Sequence, residues 1–403
     1  MPIGIMKIKG ADGTVHSVPA LKGDASMWYT GTAVTGTGTG IAATVTGSKQ
    51  YDMYLNTTTK RVYQATNANV WDYKFTNVSH YDARFVIGNT SAGYTADQCD
   101  YLCDGTDDQV EINAAIAALP ATGGKIVLLD GAYNITANIT VNRANVELCG
   151  TTASQLTFAN TNSNINISIT TDNCTVHDLT LIGSQTANNR NVIEATSCNR
   201  LQFYNLQVSK GQIGVASCGN VILTKNIIGK DNGYNYGIYV SGASHDIIIS
   251  NNDLSGSYYC IAVTSAQRVT ITNNTARLFN DVGVSLQTAT DIVIANNNFY
   301  TEVGGAIEAV YCSVGTRISI TGNCFHLNET AQGYQVIQLY STNYCIINNN
   351  IIRTASTSIP INIQSDCNGI TLIDNGVCCT SAQIWDTTNA TNFVTDNNQH
   401  WPV

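Results

Sequence analysis

The residues in this chain best suited to chemistry are three acids with a group of tyrosines around them. Asp281, Glu302 and Glu308 lie close together along the sequence, and Tyr236, Tyr239, Tyr258, Tyr259, Tyr300, Tyr334 and Gln338 flank them. Two carboxyl groups facing one sugar can serve as acid and base, about 5 Å apart for retention of configuration or about 6.5–9.5 Å apart for inversion. Tyrosine rings suit the apolar C–H faces of sugars, while Asn, Gln and Ser side chains reach their hydroxyls. Single acids and single tyrosines on a surface need no function. A run of tyrosines along one face says more, so glycan binding is favoured here, and glycan cleavage through Asp281, Glu302 and Glu308 is the alternative.

Composition narrows the other options. Only 12% of the residues are charged and the formal net charge is -9, so there is no basic footprint for nucleic acid or for an anionic membrane. No apolar run reaches the length of a membrane span, and the start Met1-Pro-Ile-Gly lacks the charged-then-apolar layout of a secretion signal. A soluble product made in the cytoplasm is expected. The histidines, at 16, 80, 177, 245, 326 and 400, show no ligand spacing, and Cys99 and Cys103 are not spaced as a zinc pair. His177, His245 and His326 fall in turns or at strand edges and read as structural imidazoles. Serine-hydrolase order, phosphate loops and dinucleotide fingerprints are absent from the sequence. No metal and no cofactor are expected.

What must position the acids is a repeat. Asn226, Asn252, Asn274, Asn297, Asn323, Asn350 and Asn375 recur at intervals of 22 to 27 residues, each preceded by a similar block such as Ile249-Ser-Asn-Asn252 or Ile271-Thr-Asn-Asn274. Self-similarity at that period marks a stacked solenoid. Within each block a strand triplet precedes the asparagine: Ile238-Tyr-Val, Ile261-Ala-Val, Val284-Ser-Leu, Ile307-Glu-Ala, Ile337-Gln-Leu and Ile361-Asn-Ile. Alternation turns the outer two residues of each triplet inward and the middle one outward. The resulting surface column is Glu194, Gly214, Tyr239, Ala262, Ser285, Glu308, Gln338 and Asn362, with Asp281 and Glu302 in the adjoining turns. Stacked asparagines can hydrogen-bond from coil to coil, as ladders of identical residues do. Cys198, Cys218, Ser244, Ala266, Ala289, Thr342 and Cys367 occupy one further repeat position and read as a stack of small inward side chains. The cysteines, thirteen in number, therefore need not form disulfides.

Ahead of the repeat, Asp104 to Leu119 reads as a helix, with Thr106 and Gln109 as a capping box and Pro120 as its stop. Its apolar positions 112, 116 and 119 share a face, so it suits the open end of the first coil. Residues 1–78 have another texture. Met53-Tyr-Leu and Arg61-Val-Tyr-Gln-Ala flank an Asn-Thr-Thr-Thr-Lys turn and read as a hairpin that Trp71 and Phe75 could cover.

The stretch Tyr101-Leu-Cys-Asp-Gly-Thr-Asp-Asp-Gln-Val-Glu-Ile-Asn to Leu128-Leu-Asp-Gly-Ala-Tyr133 resembles the opening motif of pectate-lyase-like β-helices, and the coils after it resemble their repeats. The resemblance implies an all-β, right-handed parallel β-helix with a short capping helix and a small N-terminal β module. In this family the opening motif is architectural, so Asp104, Asp107 and Asp108 are not expected to be catalytic. The aspartate pairs, Gly-His-Gly and Arg-Ile-Lys of polygalacturonase-type members do not occur, and pectinase activity is not expected. Lys7-Ile-Lys-Gly-Ala-Asp-Gly, Trp28-Tyr-Thr-Gly-Thr-Ala-Val-Thr-Gly and Asp52-Met-Tyr-Leu-Asn are similar to the leaders of tail appendage proteins of phages and prophages. That resemblance implies a tail fibre or tailspike: a homotrimer in the virion, docked on tail or baseplate proteins through its N-terminus and assembled in the bacterial cytoplasm. It would recognise a bacterial surface polysaccharide without inserting into a membrane. The expected divisions are 1–78 for attachment, 79–124 for the opening region and helix, 125–380 for the β-helix and 381–403 for a C-terminal cap or tip.

Overall fold

The computed structural model describes residues 5–9, 15–19, 28–35, 41–44, 53–56, 61–67, 69–76, 83–151, 153–159, 165–183, 191–229, 236–301, 308–327, 335–354, 359–364, 366–379, 381, 385–386 and 390–402. They fall into two units, Met1–Ala83 and Arg84–Val403.

In the first unit, Ile5–Lys9 pairs antiparallel with Val15–Pro19. A separate five-stranded sheet contains the expected hairpin, in which Met53–Asn56 pairs antiparallel with Arg61–Asn67. Its buried centre is small: Val34, Tyr54 and Tyr63, with the Tyr54 hydroxyl accepting the Ala33 N–H at 2.8 Å. The side chains of Trp71 and Phe75 lie outside the described residues.

The second unit is a right-handed parallel β-helix. Among the described residues its coils stack into three parallel sheets of fourteen, twelve and eleven strands. Ile and Val alternate along these strands with polar residues, and the apolar set is turned to a continuous interior, for example Val221, Leu223, Ile247, Ile249, Val269 and Ile271.

The corner after the strands of the fourteen-stranded sheet from Gly219–Thr224 onward holds the asparagine ladder. The Asn297 amide oxygen accepts the backbone N–H of Asn274 at 2.9 Å and its side-chain N–H at 3.0 Å, while the Asn297 amide nitrogen donates to the Ile271 carbonyl at 2.9 Å. The same pattern links Asn226, Asn252, Asn274, Asn297, Asn323, Asn350 and Asn375, and it continues to Asn398. Each of these corners bends through a residue of positive φ: Asn251, Asn273, Asn296, Asn349, Asp374 and Asn397, with Gly322 in one coil and Lys225 in the first. Asn, Asp and Gly tolerate that conformation best, which explains the doubled Asn-Asn in the sequence. Another corner stacks Cys198, Cys218, Ser244, Ala266, Ala289, Thr342 and Cys367, all buried, and all thirteen cysteines are free thiols.

Two expectations need correction. The helix runs Gln109–Ala118 and the capping box does not form. Gln109 instead accepts the Thr136 N–H, while the Asp108 carboxylate takes the N–H groups of Gly105 and Asn134, so both side chains tie the helix to the first coil. Ile112, Ile116 and Leu119 are buried as expected, and the helix packs on Ile139–Val141 and Tyr101–Cys103. The C-terminal segment was expected to leave the repeat. Val394–Asp396 and Gln399–Pro402 pair in parallel with Asn368–Ile373 and Gly376–Cys379, so coiling goes on.

Candidate functional site

The site is built on the outer face of the eleven-stranded sheet. Register there sets Tyr236 beside Tyr259, Tyr259 beside Val282 and Val282 beside Glu308. A parallel column runs Glu194, Gly214, Tyr239, Ala262, Ser285, Tyr311, Gln338 and Asn362. Glu308 is thus not in the column where alternation had put it, and Tyr311 occupies that place. Ile307-Glu-Ala and Val310-Tyr-Cys both fit the inward-outward-inward pattern, and the chain uses the second, with Val310 and Cys312 fully buried. The shift moves Glu308 to the start of its strand, next to the turn residue Asp281, whose carbonyl accepts the Glu308 N–H at 3.2 Å.

This places two acids on neighbouring coils with only 6% of each exposed. Burial raises the Glu308 carboxyl, and the charge of Asp281 raises it further, to about 8. Burial raises Asp281 as well, while the hydroxyls of Tyr259 and Tyr258 donate to its carboxylate and hold the shift back. Hydrogen bonds to the charged form favour ionisation, whereas desolvation beside a like charge disfavours it. Both carboxyls are therefore raised, Glu308 by burial and the neighbouring charge, and Asp281 by burial against two tyrosine hydrogen bonds that favour its ionised form. No lysine or arginine among the described residues offsets either shift.

Aromatic rings form one wall. Tyr236 stacks on Tyr239 with ring centres 4.7 Å apart and on Tyr259 at 5.2 Å, and Tyr258 meets Tyr259 edge-on at 4.9 Å. Burial and then the Asp281 carboxylate push the Tyr259 hydroxyl well above the usual phenol range, so it stays a donor. Between Tyr239 and Tyr311 the column holds only the small residues Ala262 and Ser285, both buried, over a span on the order of 14 Å at about 4.8 Å per coil. Tyr311 closes the far end, its ring 5.8 Å from that of Tyr340, and its hydroxyl is raised by burial, by Tyr340 and by Glu308.

Of the residues singled out in the sequence, Asp281, Glu308, Tyr236, Tyr239, Tyr258 and Tyr259 come together. Gln338 sits beyond Tyr311 in the same column and donates to the Tyr340 hydroxyl at 2.9 Å. Glu302 and Tyr334 lie outside the described residues. Sequence reading missed Tyr311 and Tyr340, and the overlapping triplet at 307–312 is the signal that could have found Tyr311. Cavities of about 480 and 450 Å³ lie elsewhere, lined by Asp178, Asn205 and Lys225 in one and Asp246, Arg268 and Asp291 in the other. In the second of these the charges are locked in pairs, Arg268 reaching Asp246 at 2.7 and 2.9 Å, so it offers less free chemistry.

A family model described as a right-handed β-helix region matches residues 191–352. No curated protein matches the sequence. Among solved structures, the A-module of the mannuronan C-5 epimerase AlgE6 of Azotobacter vinelandii aligns with a TM-score of 0.57 at 17% identity, over 78% of this chain and 99% of that one. An exopolygalacturonase of Thermotoga maritima aligns at 0.58 with 11% identity, over 74% and 89%. PfbA, a surface adhesin of Streptococcus pneumoniae, aligns at 0.51 with 14% identity, over 79% and 93%. An epimerase, a hydrolase and an adhesin share this fold at such low identity, so what these matches have in common is a pectate-lyase-like β-solenoid.

Proposed function

We propose that the protein binds a bacterial surface polysaccharide along the tyrosine-walled groove and cleaves it at Asp281 and Glu308. The observation that carries this reading is the pair of buried carboxyls on adjacent coils, raised by burial and, at Glu308, by the charge of its neighbour, at the foot of a tyrosine stack. Titratable groups whose environments drive their protonation apart mark acid and base assignments. Glu308, neutral up to about pH 8, donates its proton to the glycosidic oxygen as the C–O bond breaks. Asp281, whose ionised form two tyrosine hydroxyls stabilise against its burial, faces the developing positive charge on the sugar and serves as nucleophile or as base for water. Tyr236, Tyr239 and Tyr259 take the sugar faces. A site with two acids and no offsetting cation disfavours uronic-acid polymers, so the substrate is a polymer of neutral sugars.

The setting we propose is a phage tail particle: residues 1–78 tether the chain to tail or baseplate proteins, and the β-helix assembles as a homotrimer. This part rests on the resemblance of the leader and is tested by light scattering, where a monomer at micromolar concentration would count against it.

The function is tested by incubating purified protein with neutral and acidic host polysaccharides and following retention on the polymer together with chain length. Shortening that Glu308→Gln and Asp281→Asn abolish, with retention kept, supports cleavage in this groove. Retention without shortening would make the protein a receptor-binding fibre alone.

A further inference from the structure

A second cluster of reactive side chains lies near the N-terminal end of the solenoid, on the fourteen-stranded sheet. Register sets Lys125 opposite Glu147, Cys149 opposite His177 and His177 opposite Tyr204. Val146 and Leu148 point into the core, so alternation sends Glu147 and Cys149 to the other side of the strand. A carboxylate oxygen of Glu147, the Cys149 sulfur and a ring nitrogen of His177 all lie within 4.8 Å of one another.

We propose that Glu147, Cys149 and His177 bind one divalent transition-metal ion of the zinc class, with Asp178 orienting the imidazole. Thiolate, imidazole and carboxylate together form a donor set that zinc accepts and that calcium or magnesium, which take oxygen ligands, does not. Zinc bonds of about 2.0–2.3 Å bring ligand atoms within roughly 4 Å of one another, so small side-chain rotations close the set. The outer support is already present. His177 has Nε2 2.9 Å from Glu147 Oε1 and Nδ1 2.7 Å from Asp178 Oδ2, and its ring stacks on Tyr204 at 4.5 Å. A metal-binding histidine characteristically gives its second N–H to a carboxylate, which fixes the tautomer and the ring plane. Cys149 and His177 are both nearly buried, and one thiolate with one carboxylate balances a double positive charge. Lys125, now 2.5 Å from Glu147, is about one-third exposed on a flexible stem and can turn to solvent when the ion enters. The ligands come from successive coils, so the ion clasps Val146–Cys149 to Thr175–His177 just after the capping helix. Sequence spacing hides such a site, because His177 follows Cys149 by a coil's length rather than by the few residues of a zinc-finger pair.

The full-length protein, treated with chelator, is titrated with Zn²⁺ and, as a spectroscopic probe, Co²⁺. One ion per chain, a thiolate-to-cobalt charge-transfer band and a higher unfolding temperature with zinc are expected. Cys149→Ser removes the band and the tight binding. Asp178→Asn, which leaves all three ligands, weakens affinity by about 10- to 100-fold without changing the circular dichroism of the fold. Binding unchanged in Cys149→Ser would place the ion at another of the cysteines and overturn the proposal. No tight binding of Zn²⁺ or Co²⁺ by the parent would leave the cluster an ordinary hydrogen-bonded ion network and would overturn the proposal as well.

Discussion

The asparagine corner and the acid groove both bury polar side chains on successive coils, and they do so to opposite effect. At the corner every amide is matched: Asn274 donates to Asn297 and to the Ile249 carbonyl, and accepts from Asn252, at 2.9–3.0 Å throughout. In the groove Asp281 and Glu308 are as deeply covered, yet they meet tyrosines and each other rather than a cation. A matched buried group contributes to stability, whereas a buried acid beside another acid costs stability and gains an altered proton affinity. The contrast separates the part of the molecule that holds the coils from the part to which we assign the chemistry.

The largest effect expected from breaking this contrast is on rate. Asp281→Asn keeps the shape and both tyrosine contacts but removes the anion, and chain shortening should fall by about 10²- to 10⁴-fold while thermal unfolding barely moves. At the corner the reverse holds. Asn297→Ala leaves the Asn274 N–H and the Ile271 carbonyl unmatched, at about 1–3 kcal/mol for each group that water cannot reach, and takes one of two donors from the Asn323 amide oxygen. Denaturant unfolding should show a loss on the order of 3–5 kcal/mol, with the rate per folded molecule unchanged.

Glu308→Gln sharpens the comparison through pH. The folded acid keeps its proton up to about pH 8 where a free glutamate titrates near 4.5, so the native state binds more protons between those values. Its favourable contribution is complete below about 4.5 and is lost as pH rises through about 8. The glutamine variant should therefore be more stable than the parent at pH 8, by on the order of 4 kcal/mol, and the difference should fade toward pH 4.5. Equal stability at both pH values would mean that Glu308 is not desolvated. Tyr236→Ala carries the smallest effect. Loss of one stacked ring should weaken retention on the polymer by roughly tenfold, with little change in the turnover of bound chains.

How much of this was legible in the sequence depends on which force set the position. The ladder from Asn226 to Asn375 was legible because corner geometry demands Asn at a fixed place and, in every coil but the first with its Lys225, sets an αL-tolerant Asn, Asp or Gly before it. Asn398 obeys the same rule, and Asp396-Asn-Asn was the overlooked signal. The hairpin at 53–67 and the buried face of the helix were also readable from alternation and periodicity. The helix cap was not, because Gln109 and Asp108 bond to a strand more than twenty residues further on, and local motif rules do not see such partners. In the site, Asp281 and the tyrosines were found from type and neighbourhood. Glu308 was found but given the wrong strand position, since alternation fits two overlapping triplets and only packing of Val310 and Cys312 decides between them. That slip hid the burial of Glu308 beside Asp281, the observation on which the proposed cleavage rests and without which sequence reading favoured binding.

The account's central claim is that Glu308 donates a proton to a neutral glycan. The most direct measurement is the rate of chain shortening by the parent and by Glu308→Gln on the same host polysaccharide, on both sides of pH 8. The account predicts that the parent shortens chains, that its rate falls as pH rises through about 8, and that the variant stays bound to the polymer while cutting it at least about 10²-fold more slowly. A variant that cuts as fast as the parent, or a parent that is retained on the polymer and leaves its length unchanged, would contradict it.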